Sequence, residues 1–221
     1  MSRGAGTGAG REGRNMSHEV VEILISTDQI AARVRQLGQM LSATYAGRAP
    51  VIVAVMKGCV LFLADLVRAC PGPMDLEFVS ATAYDGAAPA DVHLALPSDL
   101  GPRIAGRPVL IVDDIWDTGR TLTAVARAME SLGAAEVRTL VLLRKRREAA
   151  ARTPSPAADV RLPDWVGFEI EDRFVVGYGL DHRGRFRNLP FVAALREDAE
   201  ALPRSPSDFA LRATPDKSGR G

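Results

Sequence analysis

Apolar residues follow two alternating rhythms along this chain. Short runs rich in Val, Ile and Leu at 20–25, 50–56, 76–84, 109–113 and 137–143 read as strands buried on both faces. Between them apolar residues fall three or four apart. Asp28 serves as an N-cap for a helix carrying Ile30, Val34, Leu37 and Leu41, and 60–69 and 120–132 predict two further helices. Strands and helices in alternation predict an α/β fold, a central and mainly parallel sheet flanked by helices. The rhythm breaks after residue 160. There 165–170 and 174–178 are short strand-like pieces, expected to build a small hood subdomain with the N-terminal segment. The stretch from about 84 to 106 contains Ala, Pro and Gly and has little core to make. Residues 1–15 and 203–221 have almost no apolar content and predict a disordered N-terminal tail and a flexible C-terminal tail. This leaves 16–202 as one domain, its hood drawn also from about 160–195, with Met16 a second candidate start.

Composition narrows the classes. The 221 residues are 47% hydrophobic and 25% charged, ordinary for a soluble protein, and the net charge of +1 offers no pull on nucleic acid or a membrane surface. No apolar run approaches the roughly 18–20 residues of a membrane span, and the N-terminus has no signal-peptide core. Cys59 and Cys70 stand eleven residues apart in one predicted helix. Their Cα atoms would be roughly 16 Å apart, past the ~7 Å reach of a disulfide. Two reduced, buried thiols and a cytoplasmic location are expected. His18, His93 and His182 lack zinc-ligand spacing. The glycine pattern at 8–13 matches a dinucleotide fingerprint in form only, since no strand precedes it.

The chemistry concentrates after the 109–113 strand. Asp113 and Asp114 stand at its C-terminal end, followed by Asp117, Thr118, Gly119, Arg120 and Thr121 and then by a helix. In an open α/β sheet ligands bind beyond the carboxyl ends of the strands. A glycine turn feeding a helix N-terminus there offers free N–H groups and a positive dipole end to one phosphate. Adjacent carboxylates can hold Mg²⁺ or sugar hydroxyls beside it. The ligand class is a phosphorylated sugar with a metal.

This stretch resembles the phosphoribosyl-pyrophosphate (PRPP) motif of the type I phosphoribosyltransferases. The resemblance implies that Asp113 and Asp114 lie along the ribose hydroxyls and that 117–121 wraps the 5′-phosphate. Lys57 and Gly58 end the 50–56 strand and resemble the pyrophosphate loop of 6-oxopurine members, in which the peptide between the Lys and Gly positions can be cis. Lys145 matches by position the lysine that donates to the purine 6-oxo group. The segment 174–181 resembles the base-binding segment of hypoxanthine-guanine phosphoribosyltransferases. There Phe174 would stack on the purine, the Val175 backbone would read its edge, and Asp181 would serve a second Mg²⁺ and the base. Arg187 matches an arginine that grips pyrophosphate, a task suited to a guanidinium fork. Asp117 matches the general base that takes the purine proton; it could equally cap the following helix. Resemblance from about residue 20 to 195, with three motifs in order, implies the bacterial-type hypoxanthine phosphoribosyltransferase family. It implies transfer of phosphoribosyl to a 6-oxopurine with Mg²⁺, giving IMP or GMP and pyrophosphate, in a homodimer or homotetramer with no nucleic-acid or membrane partner.

The chain departs from that pattern at several places. Asp113 stands where many members have Glu, and Trp116 replaces a small aliphatic residue beside the phosphate loop. The resemblance implies a mobile lid at about 84–106; Ala83 and Tyr84 stand where that lid carries Ser-Tyr in the family, and no Lys or Arg occurs between Tyr84 and Arg103. His182, beside Asp181, is expected to line the site mouth. Two alternatives stay open: a xanthine- or guanine-preferring enzyme, and a PRPP-sensing regulator, which would need a nucleic-acid surface that this near-neutral chain does not advertise.

Overall fold

In the computed structural model, which describes residues 20–83, 92–146 and 160–195, the strands assemble into two separate sheets. In chain order the elements are β1 (Val20–Ile25), α1 (Thr27–Thr44), β2 (Val51–Met56), α2 (Val60–Ala69), β3 (Asp75–Ala83), β4 (Val92–Ala95), α3 (Leu100–Ile104), β5 (Pro108–Trp116), α4 (Arg120–Ser131), β6 (Glu136–Arg146), β7 (Trp165–Glu171), β8 (Val175–Val176) and β9 (Val192–Leu195). The larger sheet runs β4-β3-β2-β5-β6-β7 and is parallel except for β4. A small antiparallel sheet runs β1-β9-β8. The architecture is the α/β one expected from the sequence: a mainly parallel sheet with helices on both faces.

Strand periodicity explains the two layers. Ile52, Ala54, Leu110, Val112, Leu140 and Leu142 point to one face and pack with Ile30, Val34, Leu37, Phe62 and Leu66 of α1 and α2. Their alternates Val51, Val53, Val109, Ile111 and Val141 point to the other, against Leu122, Val125 and Met129 of α4. The central strands are buried on both sides, which is why they are apolar without interruption. The C-terminal ends of β2, β5 and β6 therefore open on one edge.

Four readings of the sequence are corrected. The cap of α1 is Ser26, not Asp28: Ser26 Oγ accepts from Gln29 N at 3.3 Å, and Gln29 Oε1 accepts from Ser26 N at 2.8 Å, a reciprocal box that leaves Asp28 in the first turn. Residues 92–106 are a packed part of the domain. Leu100 and Ile104 are fully buried, and Arg103 pairs at 2.8 Å with the buried Glu77 of β3. Two well-placed aliphatics and one ion pair outweigh the loop-like composition; residues 84–91, including Tyr84, lie outside the described residues, as do both tails. The 165–170 piece extends the main sheet as β7, parallel to β6 with Leu140 opposite Trp165, instead of joining the small sheet. Cys59 and Cys70 flank α2 as its N-cap and C-cap; both are free, but only Cys59 is fully buried.

Helices α1 and α2 cross at Gly38, where a Cβ would come within 2.4 Å of the Ala69 carbonyl oxygen. Gly38→Ala should therefore lower unfolding free energy by about 1–3 kcal/mol in urea titration, against its favourable helix propensity. A gain in stability would contradict this packing.

Candidate active site

The open edge holds a cavity of about 260 Å³ whose wall includes Gly58, Asp113, Asp114, Asp117, Thr118, Gly119 and Thr121. Strand β5 runs three residues past the predicted end, so the acidic pair belongs to the strand itself. Asp113 is 6% exposed, and the Asp114 N–H donates to its Oδ1 at 2.9 Å. Burial pushes both carboxyls above the usual carboxylate range, and the neighbouring Asp114 charge pushes Asp113 further. For Asp114 the pull of the Arg187 guanidinium offsets part of that rise.

Gly58 lets this pair sit where it does: a Cβ there would fall 1.5 Å from Asp114 Oδ2. The cis peptide joins Met56 to Lys57, at the end of β2, rather than Lys57 to Gly58. Lys57 itself is exposed.

The loop 117–121 closes on Gly119, which has φ +76 and is the N-cap of α4 with no side-chain cap bond. Asp117 is thus not the cap, since the chain turns through the left-handed glycine after it. A Cβ on Gly119 would also come within 2.5 Å of Val160 and 2.7 Å of the Trp116 Nε1. The first-turn N–H groups of α4 lie along the cavity, with Arg120 exposed beside them.

Lys145, at the end of β6, does not line the cavity wall but is tied to it. Its Nζ lies 3.6 Å from Asp117 Oδ2 and 3.0 Å from Asp172 Oδ1, with only 14% of the side chain exposed. Arg144 pairs with Glu169 at 3.2 Å, outside the site. Asp172 was not singled out from the sequence; the signal was the acidic end of β7, whose Glu171 lies in register with Arg146 of β6.

The segment carrying the small sheet folds over this edge. Gly177, Tyr178 and Gly179 all have positive φ, and a Cβ on Gly179 would lie 2.1 Å from the Gly58 carbonyl oxygen. The Tyr178 hydroxyl donates to Asp65 Oδ2 of α2 at 2.5 Å, and burial together with that carboxylate drives its pKa up. Sequence reading passed over Asp65. Arg187 pairs with Asp181 at 2.6 Å and donates to the Gly179 carbonyl at 2.5 Å, while Asp181 also accepts from Gly184 N at 2.6 Å. Phe174 is 43% exposed and meets His182 edge-on at 5.1 Å and 89°; the His182 Nε2 is buried without a partner, and Val175 is buried.

The acidic pair has a cost that sets a pH dependence. Its folded-state pKa values lie above the unfolded ones, so its contribution to stability is full below about pH 4 and is lost as pH rises through the raised values. Asp113→Asn should raise the stability of the ligand-free protein at pH 7 by on the order of 1 kcal/mol, with the gap closing as pH falls. Urea titrations at pH 7 and pH 5 measure it. Equal stabilities at pH 7, or a gap that widens on acidification, would contradict the strain assigned to the pair.

Comparison with known proteins now places the chain. The phosphoribosyl transferase domain family matches residues 21–183. The hypoxanthine-guanine phosphoribosyltransferase of Bacillus subtilis (strain 168) is 34% identical over 182 residues, 82% of this chain and 96% of that protein. The bifunctional protein TilS/HprT of Listeria innocua is 34% identical over 184 residues, 83% of this chain, and the chain spans 27% of that longer protein. A solved hypoxanthine phosphoribosyltransferase from Staphylococcus aureus superposes with a TM-score of 0.71 at 30% identity, covering 83% of this chain and 96% of its own. With an acidic strand end, a glycine turn opening α4 and the 174–181 segment on one sheet edge, the chain belongs to the phosphoribosyl transferase family, alongside the hypoxanthine-guanine phosphoribosyltransferases.

Proposed function

We propose that the protein transfers 5-phosphoribosyl from PRPP to hypoxanthine or guanine, releasing pyrophosphate and giving IMP or GMP. The observation that carries this reading is the 3.6 Å between Lys145 Nζ and Asp117 Oδ2. On a 6-oxopurine, O6 and N7 are neighbours on one edge of the ring. A cation and a carboxylate side by side match that edge: Lys145 donates to O6 while Asp117 takes the proton at N7. Adenine presents an amino donor at the same place and would leave the ammonium facing another donor.

The remaining assignments follow the geometry. The 5′-phosphate sits on Thr118, Gly119, Arg120 and Thr121 at the start of α4, where N–H groups and the helix dipole favour an anion. Asp113 and Asp114 take the ribose hydroxyls. Lys57, the Gly58 N–H and Arg187 hold the pyrophosphate. Phe174, exposed over the edge, stacks on the purine, the Val175 backbone reads its far side, and Asp181 positions Arg187. The purine N9 then bonds to C1′ as the C1′–oxygen bond to pyrophosphate breaks, with Asp117 holding the departing proton.

The donor set fits Mg²⁺. It consists of hard carboxylate oxygens, and Mg²⁺ commonly binds one or two carboxylates together with substrate phosphates. Among the described residues no group of three or more His, Cys, Asp or Glu forms an all-protein cage. Asp113 and Asp114 would hold one ion and Asp181 a second; bound there, Mg²⁺ neutralises charge on the leaving pyrophosphate.

Self-association belongs to the same proposal. Leu76 and Phe78 of β3 are 39% and 48% exposed, an apolar stripe that a second copy would cover in a dimer or tetramer. Two free thiols suit a reducing, cytoplasmic setting, and no described helix is long and apolar enough to cross a membrane.

Asp117→Asn keeps the size of the side chain and removes the base. Turnover of hypoxanthine with PRPP should fall about 10²–10⁴-fold, with PRPP affinity little changed. Full activity in this variant would remove Asp117 from the reaction.

A further inference from the structure

The phosphate loop is fastened to a segment that the proposed chemistry does not use. Residues 160–164 precede β7 and cross the start of α4. The Trp116 indole N–H donates to the Arg161 carbonyl at 3.2 Å. The Arg161 N–H donates to Thr123 Oγ1 at 2.9 Å, and the Thr123 hydroxyl donates to the Gly119 carbonyl at 2.7 Å. One peptide residue, gripped through both its N–H and its C=O, thus ties together the residue before the loop, the glycine within it and the first turn after it. Val160 and the Trp116 ring pack directly against Gly119, leaving no room for a Cβ. The Arg161 guanidinium anchors the segment on α4 through Glu130 at 2.6 Å. Asp164 anchors it on β6, accepting from the backbone N–H and hydroxyl of the buried Thr139 at 2.9 and 2.8 Å.

We propose that residues 160–164 form a strap that holds the phosphate loop in its binding shape, with Thr123 and Trp116 as positioning residues for the 5′-phosphate of PRPP. The physical reason is pre-organisation. A loop fixed before the ligand arrives loses less conformational freedom on binding, and its N–H groups already converge. Thr123 is 8% exposed and touches no cavity wall, so it acts through Gly119. Trp116 fills this chain's version of the strap. Its N–H supplies a bond that a small aliphatic residue could not make.

The inference rests on the reading of 117–121 as the phosphate loop, and its test separates the two. PRPP affinity of the full-length protein is measured by titration calorimetry for wild type, Thr123→Val, Thr123→Ser and Trp116→Leu, alongside KM for PRPP and hypoxanthine. Thr123→Val and Trp116→Leu should each weaken PRPP about tenfold while the hypoxanthine KM shifts less than about twofold. Thr123→Ser, which keeps the hydroxyl, should restore wild-type affinity. Unchanged PRPP affinity in both Thr123→Val and Trp116→Leu overturns the strap. So does a parallel loss in every constant with a lowered Tm and no rescue by Ser, which would mark a purely structural contact. Wild type that binds PRPP without turning over any 6-oxopurine refutes the enzyme reading and leaves the affinity test of the strap intact; wild type that does not bind PRPP overturns both.

Discussion

Two carboxylates on one buried strand end are the constraint around which the site is arranged. Asp113 and Asp114 are neighbours on β5, and burial raises the cost of ionising either. The surrounding structure is built to hold them together at that cost. Gly58 removes the side chain that would displace Asp114, and Arg187 sends its charge toward the same carboxylate. Such a pair is poorly satisfied alone and well satisfied by a cation or by sugar hydroxyls. Holding the pair ionised lowers the stability of the free protein, an arrangement common at functional sites.

That constraint explains why the overlying segment is held so closely. Gly177, Tyr178 and Gly179 turn the chain sharply, and Gly179 reaches contact distance of the Gly58 carbonyl. The Tyr178 hydroxyl on Asp65 fixes the same turn to α2, and Arg187 bridges Gly179 and Asp181. Elements far apart in sequence thereby meet over β2 and β5. On the other flank, the bond network through Arg161 and Thr123 holds the 117–121 loop. The ends of β5 and β6 join through Lys145, which stands between Asp117 and Asp172.

Much of this is legible in the sequence. Uninterrupted apolar runs gave β2, β5 and β6, because strands buried on both faces tolerate nothing else. The acidic pair, the glycine turn and the following helix are legible because a carboxylate pair ending an apolar run and a glycine before a helical pattern each leave a local signal. What escaped has physical causes. The Ser26 cap lost to Asp28 because both residues favour caps and only the reciprocal bond to Gln29 decides between them. Helix α3 hid in a loop-like composition, since five residues with two buried aliphatics leave almost no periodic signal. β7 read as part of the hood because a short edge strand has no pattern that tells which sheet it joins. Asp65, Thr123, Arg161 and Asp172 act through partners 27 to 113 residues distant, such as Tyr178 to Asp65 and Arg161 to Thr123. Asp172 to Lys145, 27 positions apart, is of the same kind. No local spacing records such pairings.

The most direct test is nucleotide formation from PRPP and Mg²⁺ with hypoxanthine, guanine, xanthine and adenine side by side. The Lys145–Asp117 pairing predicts turnover of hypoxanthine or guanine and rejection of adenine, whose amino group faces the lysine. Turnover of adenine at a comparable rate, or silence with all four bases in a protein that binds PRPP, would contradict the account.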